Sequence, residues 1–242
     1  MLILWHRTIK WIWYRGKEVN GMQRGTGLLL EYLISMIESR DFFAEHHCEK
    51  VRKFTEIMLV KIRQFCPEYK LTVRDCENIA FAAMMHDLGK MTIPDHILHK
   101  PGKLTFEEKQ IMRNHTRKGR QVFEHIQQTL KKENAEYELF HCCAEVCMYH
   151  HERFDGGGYP MGLKQDEIPI AAQIVGVAEA YDSLISERIY KSAYSKAEAF
   201  EMIMKGECGI FNPRLMEVFS LVRMDLEDVQ DEIHRMYHED NK

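Results

Sequence analysis

Histidines and acids fall along this chain at positions where they could hold metal ions. His47 follows His46, Asp87 follows His86, His115 stands alone, His150 and His151 are adjacent, and Glu179 and Asp182 lie three residues apart. Imidazole is the commonest side-chain metal ligand near neutral pH. Each position alone has a plainer reading. A single helical histidine is ordinarily a capped or core residue, and His86-Asp87-Leu88-Gly89-Lys90 also fits a helix C-terminus, with glycine and a cation where the dipole favours them. Taken together they supply two imidazole-rich metal sites, with Asp87 able to bridge. The His150-His151 pair runs into Glu152-Arg153-Phe154-Asp155-Gly156-Gly157-Gly158-Tyr159-Pro160. Successive glycines mark backbone that bends sharply or approaches something closely, and the proline fixes the exit direction. A ligand pair entering a tight loop reads as an active-site rim.

Helical segments must position these groups. From Leu28 the residues Leu29, Tyr32, Leu33 and Met36 recur at helical spacing, and Arg40-Asp41 ends or interrupts that helix. A second helix is expected from Ala44 to Cys66, stopped by Pro67. Thr72 reads as an N-cap, and its helix carries Ile79, Ala82, Ala83 and His86 before closing at Gly89. Thr105 and Glu108 form a capping box for a helix that carries His115 to about Leu130. Leu139 to His150 is a buried helix, Ile170 to about Ile185 another, Ser195 starts a further one, and Asn212-Pro213 opens the last. Alternating strand signals are almost absent, so the chain reads as all-α. The expected organisation is an N-terminal appendage and linker over residues 1–27, one domain over 28–225 and an acidic tail over 226–242 that loses order at its end.

Composition narrows the function classes. The 242 residues are 45% hydrophobic, enough for a substantial core, so disorder is not expected. A net charge of −4 argues against a surface that coats a nucleic-acid polymer. The seven cysteines include no C-x-x-C pair and lie mostly in apolar helical contexts, which points to buried thiols in a reducing cytoplasm. Residues 1–14 are apolar but broken by His6, Arg7 and Lys10, and are too short to span a bilayer. They are expected to form a terminal strand or helix packed on a neighbour, with a short hairpin possible over residues 8–20.

The order His47, His86-Asp87-Leu88-Gly89-Lys90, His115 and His150-His151-Glu152-x-x-Asp155-Gly-x-Gly158-Tyr159-Pro160 resembles the HD-GYP family of metal-dependent phosphohydrolases. The likeness continues through Leu98 to Thr105, Val177-Ala-Glu-Ala-Tyr-Asp182 and Arg188-Ile-Tyr-Lys191, and covers about Leu28 to Phe219. It implies an HD-domain helical bundle that hydrolyses cyclic di-GMP to pGpG or GMP, with iron or manganese the expected metals and zinc or nickel alternatives. It also implies a site residue by residue. His47, His86, Asp87 and Glu179 would hold one ion, while Asp87, His115, His150 and His151 would hold the other. A hydroxide between the two ions would attack phosphorus in line with the leaving ribose oxygen. Lys90 would stand beside the site as a donor, with Tyr159, Arg188 and Lys191 among the substrate-binding groups. A diguanylate cyclase docked through the Gly-Tyr-Pro loop and a homodimer are further expectations, and no receiver or sensory module is recognised ahead of the bundle.

Two departures bear on activity. The family ordinarily has aspartate where this chain has Glu179, whose extra methylene changes its reach. Phe43 occupies the position at which some members carry an acid for a third metal, so two ions are expected. The spacing from Glu179 to Arg188 turns a straight helix about half a circle past two turns, so both reach one site only if the helix ends or bends near Ile185–Glu187. A weakly active or inactive dinucleotide-binding module, and a phosphodiesterase for cyclic GMP-AMP or another phosphodiester, are the competing readings.

Overall fold

Side-chain caps set where several helices begin in the computed structural model of the chain, which describes residues 24–40, 46–187 and 193–238. Thr72 accepts a hydrogen bond from the Asp75 amide while Asp75 accepts one from the Thr72 amide, so both ends of the box close. The same reciprocal pair forms at Thr105 with Glu108 and at Ser195 with Glu198. Each box satisfies two backbone donors that a helix start leaves open.

Ten α-helices follow in order among the described residues: α1 (Arg24–Arg40), α2 (His47–Phe65), α3 (Val73–Met85), α4 (Asp95–Leu98), α5 (Phe106–Gln128), α6 (Ala135–Tyr149), α7 (Ile170–Ile185), α8 (Lys196–Met204), α9 (Pro213–Leu221) and α10 (Arg223–His238). No strand occurs among those residues, in line with the all-α expectation. None of the described helices is long and apolar enough to cross a membrane. The expected hairpin and Phe43 fall outside the described residues, and the last four residues of the expected linker are already helix, since α1 starts at Arg24 and not at Leu28.

Two helices occupy the middle of the bundle and show it in their composition. Every residue of α3 from Asn78 to Met85 is buried, as are all but Ile170, Gln173 and Ser183 of α7. Both are rich in alanine, which lets neighbouring helices approach closely without voids. α3 packs against α2 and α6, α5 pairs with α6, and α7 lies against α2 and α6. An aromatic group of Phe54, Tyr181, Phe200 and Phe219 joins α2, α7, α8 and α9, with edge or stacked contacts at 5.1–5.7 Å.

The segment after Asp225 corrects the expectation of an acidic tail. It is helix as far as His238, and Leu226, Val229 and Ile233 are at most 3% exposed against the core. Their 3–4 spacing makes one apolar stripe on an otherwise charged helix. The third helix also ends earlier than expected: α3 stops at Met85, and Leu88–Thr92 forms a 3-10 turn. Gly89 in that turn explains the tight fit against α5, because a Cβ there would meet the His115 carbonyl oxygen at 1.8 Å.

Candidate metal centre

Five segments bring the predicted histidines and acids to one place. His47 is the first residue of α2, His86 and Asp87 directly follow α3, His115 lies within α5, His150 and His151 follow α6, and Glu179 sits in α7. His47, His86, Asp87, His115, His150 and Glu179 are each at most 8% exposed. Clusters form whose ligand atoms lie within 4.8 Å of one another: His47 with His86 and Asp87, His115 with His150 and His151, and His86 with His150 and Glu179. Glu179 therefore stands where the two imidazole groups meet, and its Oε2 is also 3.6 Å from His151 Nδ1.

Backbone carbonyls fix how the imidazoles point. His86 Nδ1 lies 2.7 Å from the Ala83 carbonyl oxygen, His115 Nδ1 2.7 Å from that of Met112, and His150 Nδ1 2.8 Å from that of Val146. A carbonyl only accepts, so each Nδ1 carries a proton and donates, and each ring turns its Nε2 into the centre. His115 Nε2 and His150 Nε2 face each other at 3.4 Å, lone pair to lone pair.

Asp87 lies between the groups. Its Oδ2 is 3.3 Å from His86 Nε2, 3.7 Å from His47 Nε2 and 2.6 Å from Lys90 Nζ. Its Oδ1 is 3.4 Å from His115 Nε2 and, though buried, has no hydrogen-bond partner. A buried carboxylate oxygen aimed at a lone pair is costly unless a cation lies between them. The orphaned oxygen, the opposed imidazole nitrogens and the mixed nitrogen and oxygen donor set fit divalent metal ions.

The electrostatics agree. Burial holds the His150 imidazole down to about 3, and burial likewise lowers His115 and takes His151 well below the ordinary histidine value. These rings stay neutral, as ligands must. Burial also disfavours charge on His47, but hydrogen bonds to Asp182 and Asp87 outweigh it and raise that imidazole to about 9. Asp87 is held well below the usual carboxylate range against the cost of burial, chiefly by Lys90 and His86.

Two residues acquire work that the sequence reading did not assign. Asp182 Oδ2 accepts from His47 Nδ1 at 2.6 Å and is backed by Ser186 and Lys50. This is the outer-shell contact that commonly orients a metal-binding imidazole. Its three-residue offset from Glu179 on one helix face was the available signal. Glu152, 4% exposed, accepts from the Met161 amide at 2.7 Å and the Leu163 amide at 3.1 Å, and so templates the loop around Tyr159. Gly158 lets that loop close, since a Cβ there would lie 2.4 Å from the Arg153 nitrogen. Tyr159 stacks on His151 at 4.5 Å, and burial pushes its phenol upward, so it stays protonated. α7 ends at Ile185, where Ser186 turns extended, as a shared site with Arg188 requires. Arg188 and Lys191 themselves lie outside the described residues.

Comparison with known proteins follows this geometry. Residues 31–215 match the model of the HD domain family. The chain is 36% identical over 201 residues to a cyclic di-GMP phosphodiesterase of Thermotoga maritima, covering 83% of this chain and 50% of that one. It is 31% identical over 190 residues to the 3'3'-cGAMP-specific phosphodiesterase 2 of Vibrio cholerae, covering 78% and 33%. Among solved structures it resembles Bd1817, an HDG"Y"P protein from Bdellovibrio bacteriovorus, with TM-score 0.52 and 19% identity over 77% of this chain and 52% of that one. The chain thus spans half or less of the length of these curated relatives.

Proposed function

The chain belongs to the HD domain family, in its HD-GYP branch, and from that premise we propose that it is a metal-dependent phosphodiesterase that hydrolyses cyclic di-GMP to pGpG or GMP. One observation carries the reading. The two oxygens of buried Asp87 face two different imidazole clusters, and Oδ1 has no hydrogen-bond partner of its own. His47, His86 and Asp87 would hold one ion, Asp87, His115, His150 and His151 the other, and Glu179 would reach the seam between them. Iron or manganese suits this donor set, with zinc and nickel next. When bound, such ions lower the pKa of water toward neutrality and offset the charge of a phosphodiester.

The protein's own groups do the rest. Carbonyl-anchored Nδ1–H groups keep the imidazoles oriented without rearrangement, which is the preorganisation a polar reaction needs. Lys90 lies 2.6 Å from Asp87, and in this reading it would donate to a phosphate oxygen or to the leaving alkoxide. Glu152 holds the Gly-Tyr-Pro loop as one wall of the site. The seven cysteines are free, which supports a reducing, cytoplasmic setting. A cyclase docked on this loop and a homodimer belong to the same proposal.

Metal-loaded full-length protein is incubated with cyclic di-GMP under reducing conditions, and nucleotides and bound metal are quantified. Linear dinucleotide or GMP with about two ions per chain supports the reading. Loaded protein that yields no product overturns it, and protein that retains no metal identifies a non-catalytic module. A second reading, hydrolysis of cyclic GMP-AMP, is favoured by the 31% identity to a cGAMP-specific relative. A competition panel of cyclic dinucleotides separates the two.

A further inference from the structure

Five of the described arginines are neutralised where they stand. Arg40 pairs with Asp95, Arg52 with Glu56 at 2.5 Å, Arg120 with Glu124 at 2.7 Å, Arg214 with Glu68 at 3.0 Å and Arg223 with Glu227 at 2.9 Å. Two guanidiniums on α5 stand apart from these pairs, as do Arg63 and Arg153. Arg113 and Arg117 are exposed and lie one turn apart on one helix face. Among the described residues neither contacts a carboxylate. Both reach the same loop instead: Arg113 lies over the Tyr159 ring, with Cζ 4.6 Å from its centroid, and Arg117 Nη2 is 3.6 Å from Met161 Sδ.

The placement is specific to the metal centre. Arg113 is two residues from His115, and Tyr159, on which its guanidinium rests, itself stacks on His151. One aromatic ring therefore separates this cation from a candidate ligand. A cyclic dinucleotide carries two phosphodiester anions, and a hydrolytic centre engages one of them for cleavage. Lys90, beside that centre, is already bound to Asp87. A guanidinium lying on a ring keeps the donors at its edge available, and that planar fork matches phosphate oxygens two at a time.

We propose that Arg113 grips the non-scissile phosphodiester of a cyclic dinucleotide, with Arg117 adding positive charge one turn away. Tyr159 is then the platform that aims the guanidinium, a role distinct from stacking on a base. The inference deepens the proposed function and rests on it.

Full-length, metal-reconstituted wild type, R113A, R113K and R117A are compared by cyclic di-GMP titration and by steady-state turnover. Bis(p-nitrophenyl) phosphate serves as a diester with a single phosphate. R113A is expected to raise Kd and KM for cyclic di-GMP by about 10- to 100-fold, the size of a lost charge-assisted hydrogen bond. The kcat for cyclic di-GMP should change by less than about threefold, so the kcat/KM preference over the small diester falls by nearly the same factor as KM rises. R113K restores only part, because an ammonium lacks the planar fork. R117A weakens binding less, and its effect fades at high salt, as for an exposed charge. R113A that binds within about twofold of wild type overturns the proposal, given the size of the lost bond. So does an equal loss of kcat on both substrates, which would make Arg113 a support for His151 through Tyr159. A wild type that neither binds nor cleaves cyclic di-GMP removes the proposed function and this inference with it. A wild type that cleaves it, with R113A indistinguishable, removes the inference alone.

Discussion

Replacing Gly89 by alanine tests whether the turn that carries Asp87 must touch α5. The added Cβ would sit 1.8 Å from the His115 carbonyl oxygen, 2.7 Å from the His115 carbonyl carbon and 2.6 Å from the Gly119 nitrogen. Ordinary contact begins at 3.4 Å, so the 1.8 Å approach requires turn and helix to part by about 1.6 Å. All three neighbours are backbone atoms of a 23-residue helix, and no rotamer change relieves them. Overpacking a well-filled interior costs about 1–3 kcal/mol, and a backbone clash belongs at the upper end. For a chain of this size that lowers Tm by roughly 6–12 °C. The effect on chemistry is separate. Asp87 Oδ1 and His115 Nε2 stand 3.4 Å apart across the same seam, so parting it withdraws the carboxylate from the His115, His150 and His151 cluster. A displacement on the order of 1 Å in a reacting constellation costs about 100-fold in rate. Wild type and G89A, reconstituted with metal and desalted, are compared for metal content, thermal unfolding and turnover. The variant should remain helical, lose the ion of the His115 cluster first and turn over about 100-fold more slowly. G119A is the matched control. Its Cβ meets mainly the Cys147 side chain at 3.0 Å, so its metal content should be less affected. A G89A protein with wild-type Tm, metal content and turnover refutes the reasoning.

Other perturbations read different parts of the centre. Asp182→Asn keeps the shape beside His47 but removes the charge, and outer-shell losses of this kind lower metal affinity about 10- to 100-fold. Half-maximal activity should need that much more metal, with kcat recovered in excess, and an unchanged metal titration counts against the role. Glu152→Gln leaves one of the Met161 and Leu163 amides facing a donor. Proteolysis between residues 155 and 164 should quicken and KM should rise at constant metal content, whereas unchanged proteolysis would show that the loop holds itself. Metal-free protein should have a stability maximum near pH 6.5. Below it, burial has lowered His115, His150 (to about 3) and His151, so the unfolded chain binds more protons and stability falls by about 1.4 kcal/mol per pH unit for each proton taken up. Above it, His47 has the opposite sign. Raised to about 9, it contributes stability that is full below 6.5 and is lost as pH climbs through 9. Urea midpoints of chelator-treated protein at pH 5, 6.5 and 9.5 decide this, and a monotonic series contradicts it.

Helix starts were legible because capping is local chemistry: Thr72, Thr105 and Ser195 each needed only a partner three residues on. The last helix was obscured by its own charge. Seven charged residues from Arg223 to Arg235 hide the spacing of Leu226, Val229 and Ile233, and only the surface of α2 that α10 covers gives those three a purpose. Candidate ligands were legible as pairs and by family order. The job of Asp182 was not, because it depends on where the start of α2 lands against α7, 135 residues later in the chain.

Glu179 sharpens what the centre requires of its metals. In the sequence it is a departure from aspartate, set against the His47 side of the site. In the fold its carboxylate groups with His86 and His150 and lies 3.6 Å from His151, so it touches residues of both imidazole clusters, as Asp87 does from the other side. Without metal, Asp87 and Glu179 present negative charge to any phosphodiester that approaches; the raised His47 is held first by Asp182, and Lys90 does not offset both carboxylates. Two divalent ions would bring four positive charges against two, leaving a cationic floor beneath an anionic substrate. The longer side chain is therefore no obstacle to such a site, provided its oxygen stays at the seam. It makes substrate affinity depend on metal occupancy: cyclic di-GMP should bind the loaded protein and not the chelated one, whereas E179Q, with one carboxylate fewer, should retain weak metal-free binding.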